Sequence, residues 1–91
     1  MPHLLAYDIA DNARRYQIAR VLLDYGERVQ ESVFWLDIDA ELCERMWKRL
    51  RHIIADDQDV VWLVPVCRSC AKDVQTAGTT RVPEAVEFYV I

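Results

Sequence analysis

Two stretches with helical spacing of apolar residues, each set between short apolar runs, constrain this chain more than any other feature. His3 to Ile9 is a nearly continuous apolar run with Asp8 as its only charge, which suits a strand buried on both faces better than a two-turn helix. Asp11 then caps a helix reaching about Tyr25. Its Ile18, Val21, Leu22 and Tyr25 form the buried stripe, Arg15 lies one turn earlier, and Gly26 offers a left-handed C′ residue. The third helical position is Arg14 and not Glu or Gln, so the cap lacks a reciprocal partner. Arg28 to Asp37 alternates and is rich in Val, Phe and Trp, as one bent strand or as two broken at Gln30-Glu31-Ser32. Asp39 caps a second helix with Leu42, Cys43, Met46, Trp47, Leu50, Ile53 and Ile54 at helical spacing. Its outer face pairs Glu41 with Arg45 and Glu44 with Lys48. Val60 to Val66 is a solid apolar run of the kind a buried strand needs, with Pro65 placing its end at an edge. Residues 67 to 83 are polar and irregular, and Ala85 to Ile91 closes as another strand-like run.

This order predicts a two-layer α+β sandwich with two helices over one face of a sheet. If the middle segment is two strands, it is the ferredoxin-like βαββαβ pattern with an extra C-terminal strand. The 91 residues fit a single domain, with a core over about 3–66 and a tail over 67–91. At this length folding hides only about 60–65% of the unfolded surface, so a homodimer would thicken a thin core. Eleven Lys and Arg against fifteen Asp and Glu leave a net charge of −4, so any contact with nucleic acid must be local and not a property of the total charge. The apolar run after Met1-Pro2-His3 ends at Asp8 and no run approaches a membrane span, which predicts a cytoplasmic protein with no membrane partner. Three cysteines do not make a disulfide framework.

Asp8 is the residue most in need of a reason, because a carboxylate at the end of a buried strand is costly to desolvate unless paired or bound to a cation. One reading is a strand-end Asp that caps the turn or pairs with Arg14 or Arg15. The other is a metal ligand, with a two-fold dimer bringing a second copy to the same axis. His3 starts the first strand at the end far from Asp8 and His52 sits on the outer side of the second helix, so neither offers a general base. Cys67-x-x-Cys70 is half of a zinc site, and Cys43 belongs to the buried stripe. Trp35, Trp47 and Trp62 occupy core-compatible positions and read as packing residues. The second helix gathers Arg45, Lys48, Arg49 and Arg51 on what reads as a solvated, salt-bridged face.

Tyr7-Asp8-Ile9 followed by Arg15, then Tyr25-Gly26-Glu27-Arg28-Val29-Gln30 and Ser32-Val33-Phe34, resembles the CRISPR-associated protein 2 family. Pro65-Val66-Cys67-Arg68-Ser69-Cys70, with Lys72 and Gly78, is similar to the tail segment of many members. The resemblance implies a ferredoxin-like homodimer whose two copies of Asp8 face each other and share one Mg²⁺. It implies endonuclease activity on single-stranded RNA or duplex DNA in some members, and a scaffold role bridging dimers of the CRISPR-associated protein 1 integrase in spacer acquisition. Carried over by position, Asp8 is the metal ligand, Arg15 and Arg28 stand near the substrate phosphate, and Phe34 is the aromatic beside them. A basic residue often found two places after Arg15 is Gln17 here, which removes one cation from the cleavage site and leaves the scaffold role untouched. Arg14 and Arg15, in the opening turn beside Asp8, are expected to grip backbone phosphates. Val86, Phe88 and Val90 form the apolar face of the last run, which in the family adds a strand to the partner subunit's sheet. An alternative on the same fold is a toxin-type messenger RNA endoribonuclease. A small-molecule sensor has no ligand signature to support it.

Overall fold

The first apolar run becomes the inner strand of an antiparallel sheet. In the computed structural model, which describes residues 1–78, β1 (Pro2–Asp8) is followed by α1 (Asn12–Leu23), β2 (Glu27–Gln30), β3 (Val33–Asp37), α2 (Ala40–Ile53) and β4 (Val60–Pro65). The strand order is β2-β3-β1-β4, so β1 pairs with β3 on one side and with β4 on the other. This is the expected ferredoxin-like α+β arrangement. The middle segment is two strands, parted at Glu31-Ser32, and the register of β2 against β3 shifts between Arg28 and Gln30. The strand expected over 85–91, with Val86, Phe88 and Val90, lies outside the described residues.

Both helices start where the sequence indicates. The Asp11 carboxylate accepts from the Arg14 N–H at 2.9 Å, and the Asp39 carboxylate accepts from the Leu42 N–H at 2.8 Å. Ile18, Val21 and Leu22 of α1 meet Met46 and Leu50 of α2 over Leu5, Tyr7, Phe34 and Leu36 of the sheet. Each fully buried Leu, Ile or Phe there contributes roughly 1.5–3 kcal/mol of transfer free energy. Leu42, placed on the stripe by spacing, is exposed.

Gly26 corrects one expectation. Its backbone is not left-handed; helix α1 ends two residues before Tyr25, and the capping residue Asp24 keeps right-handed helical angles. Glycine is needed for a different reason. A Cβ at position 26 would lie 2.3 Å from Leu36 Cδ2 and 2.4 Å from the Trp35 carbonyl oxygen, so the turn into β2 passes too close to β3 for any side chain.

The sheet's two faces are unlike. Side chains alternate along each strand, so Leu5 and Tyr7 face the helices while Leu4, Ala6 and Asp8 face the other way. On that second face Trp35 and Leu4 are covered by Val66 and by Ala71 of α3 (Arg68–Lys72), a short helix in the segment expected to be irregular. Among the described residues, the rest of this face is open. β4 is an edge strand among the described residues, and Val60, Trp62 and Val64 are exposed, Trp62 to 64%. The expectation of a strand buried throughout therefore fails on one face, and Trp62 is not a core residue. Trp35 is buried and Trp47 half-buried.

Candidate nucleic-acid interface

Asp8 terminates β1 opposite Val60, with its carboxylate exposed on the helix-free side. It does not pair with Arg14 or Arg15. The guanidinium of Arg14 lies on Asp59, with Nε 2.8 Å from Oδ2 and Nη2 3.2 Å from Oδ1, and it also donates to Gln58 Oε1 at 3.2 Å. Asp59 is buried, accepts from the Ala55 N–H at 2.8 Å, and is held below the ordinary carboxyl range by Arg14 and then by that N–H. Arg14, expected with Arg15 at the nucleic-acid backbone, is thus neutralised by an internal partner. It ties the first turn of α1 to the loop entering β4.

Arg15 is placed differently. Its Nη1 donates to the Ile9 carbonyl at 2.9 Å and its Nη2 to Asn12 Oδ1, so its partners are both uncharged. It lines a cavity of about 360 Å³ together with Asp8, Tyr7, Ile9, Glu31 and Ser32. A second cavity of about 260 Å³ shares Tyr7, Arg15 and Glu31 with the first and adds Arg28, Asn12 and Tyr16. Arg15 thus lies between the two, sharing one cavity with Asp8 and the other with Arg28, while Asp8 and Arg28 do not line a common cavity.

Arg28 projects to the helix side of β2, where its guanidinium carbon lies 5.3 Å from the centroid of the Phe34 ring. Phe34 itself is fully buried. It lies beside Arg28, where the ring acts as a support and cannot touch a substrate. Tyr7 stacks on Phe34 at 6.4 Å between centroids and donates to the Glu31 carbonyl at 3.1 Å. Burial pushes the Tyr7 phenol up, while Arg28 and Arg15 pull against it. Tyr7 and Glu31 were not singled out as site residues by sequence reasoning. Strand parity carries the signal for Tyr7, since the neighbour of an outward Asp8 must point inward and pack under whatever surrounds it.

The other chemistry-bearing residues lie elsewhere. A cavity of about 730 Å³ is at the opposite end of the sheet around His3, Ile38, Cys43, Trp47 and Leu63. It holds no residue of the Asp8 group. His3 is pulled down chiefly by burial, and Cys43 is pushed up for the same reason. Cys67 caps α3, accepting from the Cys70 N–H at 3.3 Å. Hydrogen bonds from Cys70 and Ser69 lower its thiol to about 7. No group of three or more His, Cys, Asp or Glu side chains that could hold a metal occurs among the described residues. A single exposed carboxylate is a hard oxygen donor suited to Mg²⁺, but one chain provides only half of the carboxylate set such an ion commonly takes.

Sequence and fold both match known proteins. The sequence profile of the family described as CRISPR associated protein Cas2 matches residues 1–74. The chain is 38% identical over 89 residues to the CRISPR-associated endonuclease Cas2 2 of Thermus thermophilus, covering 98% of this chain and 94% of the relative. It is 33% identical to the CRISPR-associated endoribonuclease Cas2 1 of Chloroflexus aurantiacus, with 100% of both chains covered. The crystal structure of Streptococcus pyogenes Cas2 superposes with a TM-score of 0.79 at 28% identity, covering 86% of this chain and 100% of that one. The chain belongs to the Cas2 family. No helix among the described residues is long and apolar enough to cross a membrane.

Proposed function

We propose that this protein acts in CRISPR adaptation as a homodimer joined through the helix-free face of its sheet, and that the dimer is a Mg²⁺-dependent endonuclease centred on Asp8. One observation carries the reading: the Asp8 carboxylate lies on the same open face as the exposed stripe Val60, Trp62 and Val64. Two copies that bury this stripe against each other bring their Asp8 carboxylates to a common axis, which completes the half-site of the single chain. A bound Mg²⁺ would there lower the pKa of a water and offset charge on the phosphoryl oxygens.

The remaining work falls to the chain's own residues. Arg15, oriented by the Ile9 carbonyl, and Arg28, seated on Phe34, hold a substrate phosphate in the cavity they share, next to the one that Asp8 lines. Their partners are uncharged, so their positive charge is free to act on the phosphate. Single-stranded RNA and duplex DNA are the substrates named by the family resemblance. The names of relatives, endonuclease and endoribonuclease, support nuclease action, and the second supports RNA as a substrate. A second role, bridging dimers of the CRISPR-associated protein 1 integrase, requires the dimer but not the metal.

The test is a Mg²⁺-titrated cleavage assay on labelled RNA and duplex DNA, run beside light scattering. Asp8→Asn should cleave at background level while remaining dimeric, and Trp62→Glu should yield monomer. Wild-type cleavage by Asp8→Asn, or a dimer that survives Trp62→Glu, refutes the corresponding half of the proposal. Spacer acquisition by Asp8→Asn in cells separates the roles, because a scaffold keeps working without cleavage.

A further inference from the structure

Tyr16 is a large aromatic on a helix surface, 65% exposed, with no core to fill. It is nevertheless held in place. Arg20, one turn further along α1, lies over the ring with its guanidinium carbon 5.9 Å from the centroid, and donates to the phenol oxygen at 3.4 Å. The ring forms part of the wall of two cavities. On one side is the cavity of Arg15 and Arg28; on the other is a cavity of about 590 Å³ lined by Tyr16, Gln17, Arg20, Val21, His52 and Ile53. That second volume falls in the range of about 300–1,000 Å³ that accommodates small organic groups.

Charge favours the same kind of occupant. Arg20 has an aromatic phenol for a partner. Asp24, the carboxylate whose charge it feels, is engaged by Arg49 at 3.3 Å. Glu31 lines the Arg15 and Arg28 cavity but not the His52 one, whose lining contains no carboxylate. A phosphate at Arg15 and Arg28 thus has next to it an oriented π-face, backed by a cation and open to solvent.

From this juxtaposition we propose that Tyr16 and Arg20 form a base-stacking subsite. It would take the nucleotide adjoining the phosphate held by Arg15 and Arg28, and so select single-stranded nucleic acid over duplex. Stacking on an aromatic face needs an unstacked base, which a single strand offers and a duplex does not. The subsite rests on the phosphate-binding role of Arg15, but it does not depend on cleavage or metal.

The experiment is fluorescence anisotropy with the full chain in EDTA, using a labelled single-stranded RNA, a single-stranded DNA of the same sequence, and the corresponding duplex. Tyr16→Ala should weaken binding of both single strands on the order of 10-fold and leave the duplex nearly unaffected. Tyr16→Phe should recover most of the single-strand affinity, and Tyr16→Leu should not. Equal losses on single strand and duplex, or single-strand affinity unchanged in Tyr16→Ala, overturn the subsite. Arg15→Ala run in parallel should weaken all three ligands. If it weakens none while Tyr16→Ala still discriminates, the phosphate-site reading fails and the stacking platform stands. Because no cleavage occurs in EDTA, the outcome is independent of whether Asp8 supports catalysis.

Discussion

Helices α1 and α2 are both rich in arginine, yet their arginines are in different electrostatic states. On α2 two arginines pair with carboxylates: Arg45 lies 2.9 Å from Glu41, and Arg49 lies 3.3 Å from Asp24 while also donating to the Tyr25 phenol oxygen at 3.2 Å. On α1, Arg15 rests on a backbone carbonyl and an amide oxygen, and Arg20 on a phenol. Arg28, just beyond α1, rests on a benzene ring. A neutral partner orients a guanidinium without cancelling its charge, whereas a carboxylate does both. A protein of net charge −4 can therefore present a local positive site, and the number of arginines on a helix does not reveal where it is.

Arg14 is the exception on α1, and breaking its pair should have the largest effect on stability of any arginine substitution on either helix. Arg14→Ala would leave the buried Asp59 carboxylate with the Ala55 N–H and no cation. Thermal denaturation should show a clear drop in Tm, smaller for Arg14→Lys, which keeps the charge and loses the two-pronged geometry. The pH dependence has a definite sign. Asp59 titrates below its ordinary value of 3.8 in the folded chain, so its contribution is complete above that value and disappears as pH falls through the lower folded value. The stability gap between wild type and Asp59→Asn should be widest near neutrality and close at strongly acid pH. A gap that grows on acidification contradicts the pairing.

The next effect is on binding. Arg15→Ala should lower affinity for a single strand on the order of 10-fold at low salt and reduce the salt-dependence slope by about one. Arg49→Ala, with its charge already matched by Asp24, should change affinity by no more than about twofold. Anisotropy titrations at several salt concentrations measure both. Equal losses would mean that the charge of a partner does not decide which arginine meets phosphate.

Much of the fold was legible because it rests on local signals. Asp11 and Asp39 are caps that act within one turn, and the short apolar run from His3 to Ile9 marks β1 as a strand without reference to the rest of the chain. What was not legible depended on residues distant in sequence. Gly26 looked like a helix terminator, since its conflict with Leu36 and the Trp35 carbonyl exists only after β3 is in place. The apolar run of β4 looked buried, because composition reports the preference of a strand and not whether it lies at an edge. Helix α3 is five residues long, too short to leave a periodic pattern. At the site, Asp8 stood out as the one charge in an apolar run, and Arg15 and Arg28 came from the family resemblance. Arg14 was misplaced because its partner, Asp59, lies 45 residues away in a loop that sequence reading treats as polar surface.

The smallest effect belongs to α2. Glu41 and Arg45 were paired from spacing alone and do meet, but with side chains 75% and 66% exposed. In that setting the Coulomb gain is opposed by solvent screening and by the entropy of holding two long side chains together. Glu41→Gln should therefore cost at most about 0.5 kcal/mol in urea denaturation, and less as salt is raised. It should not alter nucleic-acid affinity. The comparison turns on that last measurement: if releasing Arg45 from Glu41 increased binding, α2 would hold a latent phosphate site kept silent by its own carboxylates, and the distinction between the helices would be one of masking and not of position.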